Sequence, residues 1–191
     1  MELFLIRHTA PAVVSGVCYG RTDVPLADSA ERDIQLAVAP LPKFEHVYSS
    51  PAQRCVRLAS TLATRDGCEL TLAPALSELD FGEWEQLPWS QIPREHSDPW
   101  AEDTWRRAPP GGETEQALWS RVATWYETAF SSPVGRCAIV GHGGSLRVLR
   151  CLVLGLGMEE RWDWTLSWGE HVRFIWGPEE ARWLASPRAR N

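Results

Sequence analysis

Leu3 to Ile6 are four consecutive apolar residues, closed by Arg7, His8 and a proline-punctuated stretch. Such a run predicts a strand buried on both faces, and the polar pair marks where it leaves the core. Residues 8–27 hold Pro11, Gly16, Gly20 and Pro25 with no regular apolar period, which predicts a long loop, and loops of that length are usually functional. Asp28 and Glu31 have the spacing of a capping box, with Ala30, Ile34, Ala37 and Val38 at helical intervals behind them. His46–Ser49 reads as a second strand, Ala52–Ala63 as a helix with Cys55, Ala59, Leu62 and Ala63 on one face, and Leu70–Leu72 as a third strand.

The pattern changes at residues 74–112, where Pro74, Gly82, Pro88, Pro93 and Pro99 interrupt a stretch rich in charge and tryptophan. Only short helical turns are expected between these breakers, so the segment is predicted to be an inserted flap. Leu118, Val122, Trp125 and Ala129 mark an amphipathic helix, Cys137–Val140 a buried strand, and Gly143 to about Leu154 a further helix. His171–Trp176 and Ala181–Ala185, joined by Gly-Pro-Glu-Glu, predict a closing hairpin. Alternation of strands and helices over 191 residues predicts one domain, 1–191, of the α/β class.

A net charge of −6 leaves no basic surface for nucleic acid or for an anionic membrane. The amino-terminal apolar run is too short for a signal peptide and no later run approaches a transmembrane helix, so a cytoplasmic protein is expected. Cys18, Cys55, Cys68, Cys137 and Cys151 form no C-x-x-C pair, which argues against a zinc site and a disulfide framework and predicts reduced thiols, mostly in the core.

Three strand ends each deliver a cation or an imidazole: Arg7-His8, Ser49-Ser50-Pro51 leading to Arg54, and Gly141-His142-Gly143-Gly144 at a helix start. In open α/β sheets the carboxyl ends of strands form the ligand crevice, and helix N-termini there add N–H donors and partial positive charge. Two guanidinium forks and two imidazoles in such a place suit a phosphoryl group.

With Ser77-Glu78-Leu79-Asp80-Phe81-Gly82-Glu83-Trp84-Glu85 and Pro110-Gly111-Gly112-Glu113-Thr114, these segments resemble the ordered motif set of the histidine phosphatase superfamily over residues 3 to about 156. Within it, Tyr19-Gly20-Arg21-x-Asp23-x-Pro25-Leu26 and Phe81-Gly82-x-Trp84-Glu85 are most similar to the alpha-ribazole phosphatase branch. The resemblance implies a phosphoglycerate mutase-like three-layer α/β/α sandwich with a mostly parallel mixed sheet and a short flap. It implies that His8 attacks phosphorus, that Arg7, Arg54 and His142 hold the non-bridging oxygens, and that Glu78 is the proton donor, with neither cofactor nor metal. The expected partner is a small phosphorylated substrate, here alpha-ribazole 5′-phosphate, and a homodimer is compatible with the reading.

The chain departs from the family at Thr9, Val14 and Val17, where a glycine, an asparagine and an arginine are common. Arg21 is then expected to supply the missing charge, and Arg21, Thr9 and Trp84 are the candidate substrate-binding residues. Of eleven tryptophans most are expected in the core or beneath the flap, with one or two of Trp84, Trp89, Trp100 and Trp105 stacking on an aromatic ring of the substrate. Glu113-Thr114 is expected to cap the next helix, and His46, His96 and His171 to be structural or exposed. Competing readings are a phosphoglycerate mutase, a broad sugar-phosphate or phosphoprotein phosphatase, a metal hydrolase built on His8, Asp23, Glu78 and His142, and a non-catalytic phospho-ligand sensor. The short flap favours hydrolysis over a mutase, and the lack of a metal-ligand spacing such as H-E-x-x-H disfavours the metal hydrolase.

Overall fold

A computed structural model describes residues 1–131, 135–177 and 182–185. The first strand, β1 (Glu2–Arg7), lies inside a six-stranded sheet. It runs parallel to β4 (Arg136–Gly141), which in turn lies parallel to β2 (His46–Ser49), and β3 (Glu69–Leu72) completes that side. On the other side β5 (His171–Gly177) pairs antiparallel to β1, and β6 (Arg182–Ala185) antiparallel to β5. The order is β3-β2-β4-β1-β5-β6, a mostly parallel mixed sheet. Of the Gly-Pro-Glu-Glu connection all but Gly177 lies outside the described residues, as does part of the segment before β4.

Alternate residues of the central strands feed two separate cores, as the period of two requires. Phe4, Ile6, Val47, Ala138 and Val140 pack under α1 (Ala30–Val38) and α2 (Gln53–Asp66), through Ile34, Val38, Leu58 and Leu62. Leu3, Leu5, Cys137 and Ile139 face the opposite way, toward a helix spanning residues 115–129 and another spanning 143–154, through Leu118, Val122, Leu146 and Leu149. That is the expected three-layer sandwich. All five cysteines are free, with Cys18, Cys55, Cys137 and Cys151 buried. No helix among the described residues is long and apolar enough to cross a membrane.

Two local expectations fail. The Asp28–Glu31 capping box does not form, because the helix starts at Ala30 and its N-cap Ser29 turns its hydroxyl to Asp33 instead, at 2.7 Å. The segment 74–112 contains, besides three short 3₁₀ turns, a nine-residue helix α3 (Arg94–Glu102) with Pro99 inside it. Pro93 stands just before its first turn, where no intrahelical N–H is required, so only Pro99 removes a helical hydrogen bond. Trp100 compensates by packing on Phe81, Trp84 and Trp89. The helices that follow are α4 (Glu115–Ala129), capped by Thr114 Oγ1 accepting from Ala117 N at 3.1 Å, and α5 (Gly143–Leu154).

The two ends of the inserted segment are sewn together by backbone. Glu83 N donates to Pro110 O at 2.9 Å, and Glu113 N to Asp80 O at 2.9 Å. Gly82 sits at φ 53°, and a Cβ there would lie 2.2 Å from Pro110 O. Gly82→Ala therefore combines left-handed strain with a backbone clash, and we expect it to lower unfolding free energy by about 1–3 kcal/mol in urea titration.

Candidate active site

The parallel register that pairs Arg7 with Gly141 carries His8 and His142 out of the sheet side by side. His8 N donates to Gly141 O at 3.1 Å, and the two imidazole centroids are 5.1 Å apart. His8 Nδ1 donates to the carbonyl of Thr9 at 2.7 Å. That bond fixes the tautomer and leaves the lone pair on Nε2. Burial, reinforced by the Arg54 and Arg7 charges, drives the His8 pKa down to about 3 despite the Thr9 contact. Burial likewise holds His142 well below the usual histidine range, with His8, Arg54 and Arg7 acting in the same direction. Both rings are neutral at physiological pH.

Arg54, on the first turn of α2, is fully buried. Its Nη1 donates to Thr22 O (2.8 Å), Nη2 to Gly20 O (2.6 Å) and Nε to His142 Nδ1 (3.3 Å). His142 then donates from Nε2 to Ser50 Oγ at 2.8 Å. Arg7 Nη1 reaches Leu166 O at 2.7 Å, its guanidinium lies 5.7 Å from the Trp168 ring, and its Nε is buried with no partner. Among the described residues neither arginine is in an ion pair, although the fully buried lone charge of Arg54 costs several kcal/mol. Each also keeps unused N–H donors, since a guanidinium carries five. The arrangement is short of one anion.

Glu78 stands opposite, its two carboxylate oxygens accepting from Gly144 N at 3.1 and 3.0 Å, and Oε1 also from Leu79 N at 3.0 Å. It thus occupies the positive N-terminus of α5, and a Cβ on Gly144 would come within 2.3 Å of it. Two cavities, of about 260 and 240 Å³, share Arg54, Glu78 and His142. The larger also reaches Arg7, His8, Tyr19, Phe81, Trp89, Trp100, Arg147 and Trp162. The five expected groups Arg7, His8, Arg54, Glu78 and His142 therefore converge.

The three expected substrate-binding residues do not reach the larger cavity. Arg21 lines the smaller one, but its guanidinium is held by Asp80 and Glu113, each at 3.2 Å, so its charge is already compensated. Trp84 is buried in a small core with Cys18 and Ile92 and cannot stack on a ligand. Thr9 is buried and serves His8 through its carbonyl. Of the other flap tryptophans, Trp89 and Trp100 do line the cavity, whereas Trp105 packs on Trp119.

Sequence reasoning missed Ser50 as the partner of His142, Arg147 as a cavity residue, and the role of Glu85. Glu85 accepts from Gly20 N, Arg21 N, Thr22 N and Phe81 N at 2.8–3.2 Å. Burial opposes its charge, yet the hydroxyl and amide of Thr22 and the amides of Gly20 and Phe81 hold its carboxyl below the ordinary value. Its place in the Phe81-Gly82-x-Trp84-Glu85 phrase was the available signal.

A profile described as the histidine phosphatase superfamily (branch 1) matches residues 3–186. A relative from Hydrogenobacter thermophilus named as a phosphoserine phosphatase is 29% identical over 168 residues, 85% of this chain and 83% of its own. One from Photorhabdus laumondii named as a phosphoglycerate mutase is 30% identical over 170 residues, covering 82% and 76%. Among solved structures, the alpha-ribazole phosphatase from Shigella flexneri superposes with a TM-score of 0.89 at 23% identity, covering 100% of this chain and 96% of that one. The mycobacterial glucosyl-3-phosphoglycerate phosphatase superposes at 0.80 with 22% identity, covering 97% and 96%.

The imidazole burial has a measurable consequence. His8 takes a proton near 6.5 when unfolded but only near 3 when folded, so its contribution to stability is whole above pH 6.5 and is lost as pH falls toward 3. In phosphate-free buffer, the unfolding free energy of His8→Gln is expected to fall less between pH 7 and 4 than that of the unchanged chain, by urea titration. Parallel pH curves would contradict the assignment.

Proposed function

The chain belongs to the histidine phosphatase superfamily and is a phosphatase of it, and from that premise we propose a metal-independent phosphomonoesterase that works through a phosphohistidine on His8. The observation that carries the reading is a fully buried and a half-buried arginine, neither with a carboxylate partner among the described residues, lining one cavity with an imidazole whose Nε2 lone pair is free. A phosphoryl group supplies the missing negative charge and accepts the unused N–H donors of Arg7 and Arg54.

In the first step His8 Nε2 forms a bond to phosphorus as the ester P–O bond breaks, and Glu78 gives the departing oxygen its proton. In the second, water attacks phosphorus, Glu78 takes its proton, and the P–N bond breaks to release phosphate and neutral His8. Arg7 and Arg54 hold the non-bridging oxygens throughout. His142 shares this work by exchanging its bond to Ser50 for one to a phosphoryl oxygen. Fixed positive charge is where most of the rate enhancement arises, because the transition state spreads negative charge over those oxygens.

For the substrate we propose alpha-ribazole 5′-phosphate, with alpha-ribazole as the leaving group, supported by the indole wall of Trp89 and Trp100, stacked at 24° with centroids 5.9 Å apart. The likeness to alpha-ribazole phosphatase structures supports the same fold. A second reading, a small phosphorylated hydroxy acid, is favoured by Arg147. Its guanidinium lies over Trp162 at 4.7 Å and donates Nε to Trp164 O, and among the described residues its two Nη groups make no hydrogen bond. That leaves a planar fork open to a carboxylate in the same cavity.

Phosphate release from alpha-ribazole 5′-phosphate, phosphoserine, 3-phosphoglycerate, sugar phosphates and an aryl phosphate, all in chelator, tests both. The expected result is turnover with an acid-labile, alkali-stable phosphoenzyme, both lost in His8→Ala by about 10⁴-fold or more. Trp89→Leu should raise KM for the ribazole ester about 3- to 10-fold, consistent with loss of one aromatic contact. A preference for carboxylated esters that vanishes in Arg147→Leu would select the second reading, and activity that survives His8→Ala would overturn both.

A further inference from the structure

The acid assigned to Glu78 sits on residues 77–81, a stretch with no helix or strand of its own. Among the described residues its carboxylate accepts hydrogen bonds only from the amides of Gly144 and Leu79. Some other element must therefore fix the backbone that carries it. Arg121, in the second turn of α4, reaches across to that backbone and uses its whole donor fork there. Nη1 donates to Ala75 O (2.6 Å) and Ser77 O (2.9 Å), Nη2 to Glu78 O (3.0 Å) and Glu113 Oε1 (2.6 Å), and Nε to Glu113 Oε2 (3.1 Å). That accounts for all five N–H groups of a guanidinium.

Glu113 extends the grip past the acid, because its Oε1 also accepts from Asp80 N at 3.1 Å. Ala75, Ser77, Glu78 and Asp80 are thus all held through main-chain atoms by one ion pair, whose side chains are only 20% and 13% exposed. The carboxylate, meanwhile, is fixed from α5. The acid is therefore placed from two packed helices, its main chain from α4 and its carboxylate from α5.

We propose that Arg121 is a positioning residue for Glu78, setting the depth at which the carboxyl meets the leaving-group oxygen. The inference rests on the reading of Glu78 as the proton donor. A lysine keeps the charge but not the function, since its three donors on a single nitrogen cannot span three carbonyls and a carboxylate in one plane. Displacing an acid by about 1 Å costs on the order of 10²-fold in rate. The loss should fall on the proton transfer, so it should grow with the basicity of the leaving group, while ground-state binding at Arg7 and Arg54 stays intact.

The test is single-turnover release of the alcohol from 4-nitrophenyl, phenyl and benzyl phosphate by the unchanged chain, Glu78→Gln, Arg121→Gln, Arg121→Lys and the double variant Glu78→Gln/Arg121→Gln. Glu78→Gln should lose about 10²-fold more on benzyl than on 4-nitrophenyl phosphate. Arg121→Gln and Arg121→Lys should show the same dependence with KM changed less than about 3-fold, and the double variant should be no worse than Glu78→Gln alone. Glu113→Gln, which keeps the carbonyl contacts but weakens the ion pair, should show a smaller loss of the same slope, and it decides the matter if Arg121→Gln does not fold. An equal loss on all three esters, or multiplicative losses in the double variant, would overturn the positioning role. If Glu78→Gln itself shows no leaving-group dependence, the acid assignment fails and this inference fails with it.

Discussion

Arg54 is a guanidinium with no exposed surface and no carboxylate partner, and the architecture around it is organised to tolerate that charge. Two backbone carbonyls, Gly20 O and Thr22 O, take part of its fork, and they are aimed because Glu85 holds the amides of Gly20, Arg21 and Thr22 from the other side. Through its Nε it also sets the His142 tautomer, and through His142 the orientation of Ser50. A long loop, a buried acid and an imidazole are in this way bound to one cation whose remaining positive charge calls for an anion. The same charge, with burial, keeps His8 unprotonated and so fit to attack.

The sheet explains why two histidines 134 positions apart meet. Parallel pairing of β1 with β4 in the register Arg7 with Gly141 leaves the next residue of each strand on one rim. The helices that follow add the Arg54 side chain from α2 and a main-chain amide from α5, where Gly144 binds Glu78. The cationic half of the site is therefore built on strand ends and helix starts. Glu78 lies on irregular backbone, and its precision depends on α4.

The inserted segment divides its aromatic residues between two tasks. Trp84, with Cys18 and Ile92, forms a small core beneath the segment, and Phe81, Trp89 and Trp100 close over it to make a wall of the larger cavity. One cluster thus stabilises the segment and shapes the space beyond the phosphate. Arg147 and Trp162 close that space from the side of α5.

Strands β1, β2 and β4 and the convergence of Arg7, His8, Arg54 and His142 were legible in the sequence, since β1 and β4 carry uninterrupted apolar runs and strand ends are where polar groups gather. The motif phrases singled out Glu78 as well. Tertiary structure alone decided the rest, because it depended on distances between segments far apart in the chain. Asp80 and Glu113 neutralise Arg21, which the sequence could only count as a free cation. Packing sends Trp84 inward and Trp89 outward, a choice that composition does not contain. Trp100 offsets the hydrogen bond that Pro99 removes from α3, and Arg121 reaches the backbone of the Glu78 segment from 43 residues away. Local pattern fixes which residues enter a strand or helix, whereas charge compensation and side-chain burial are settled only when those elements meet.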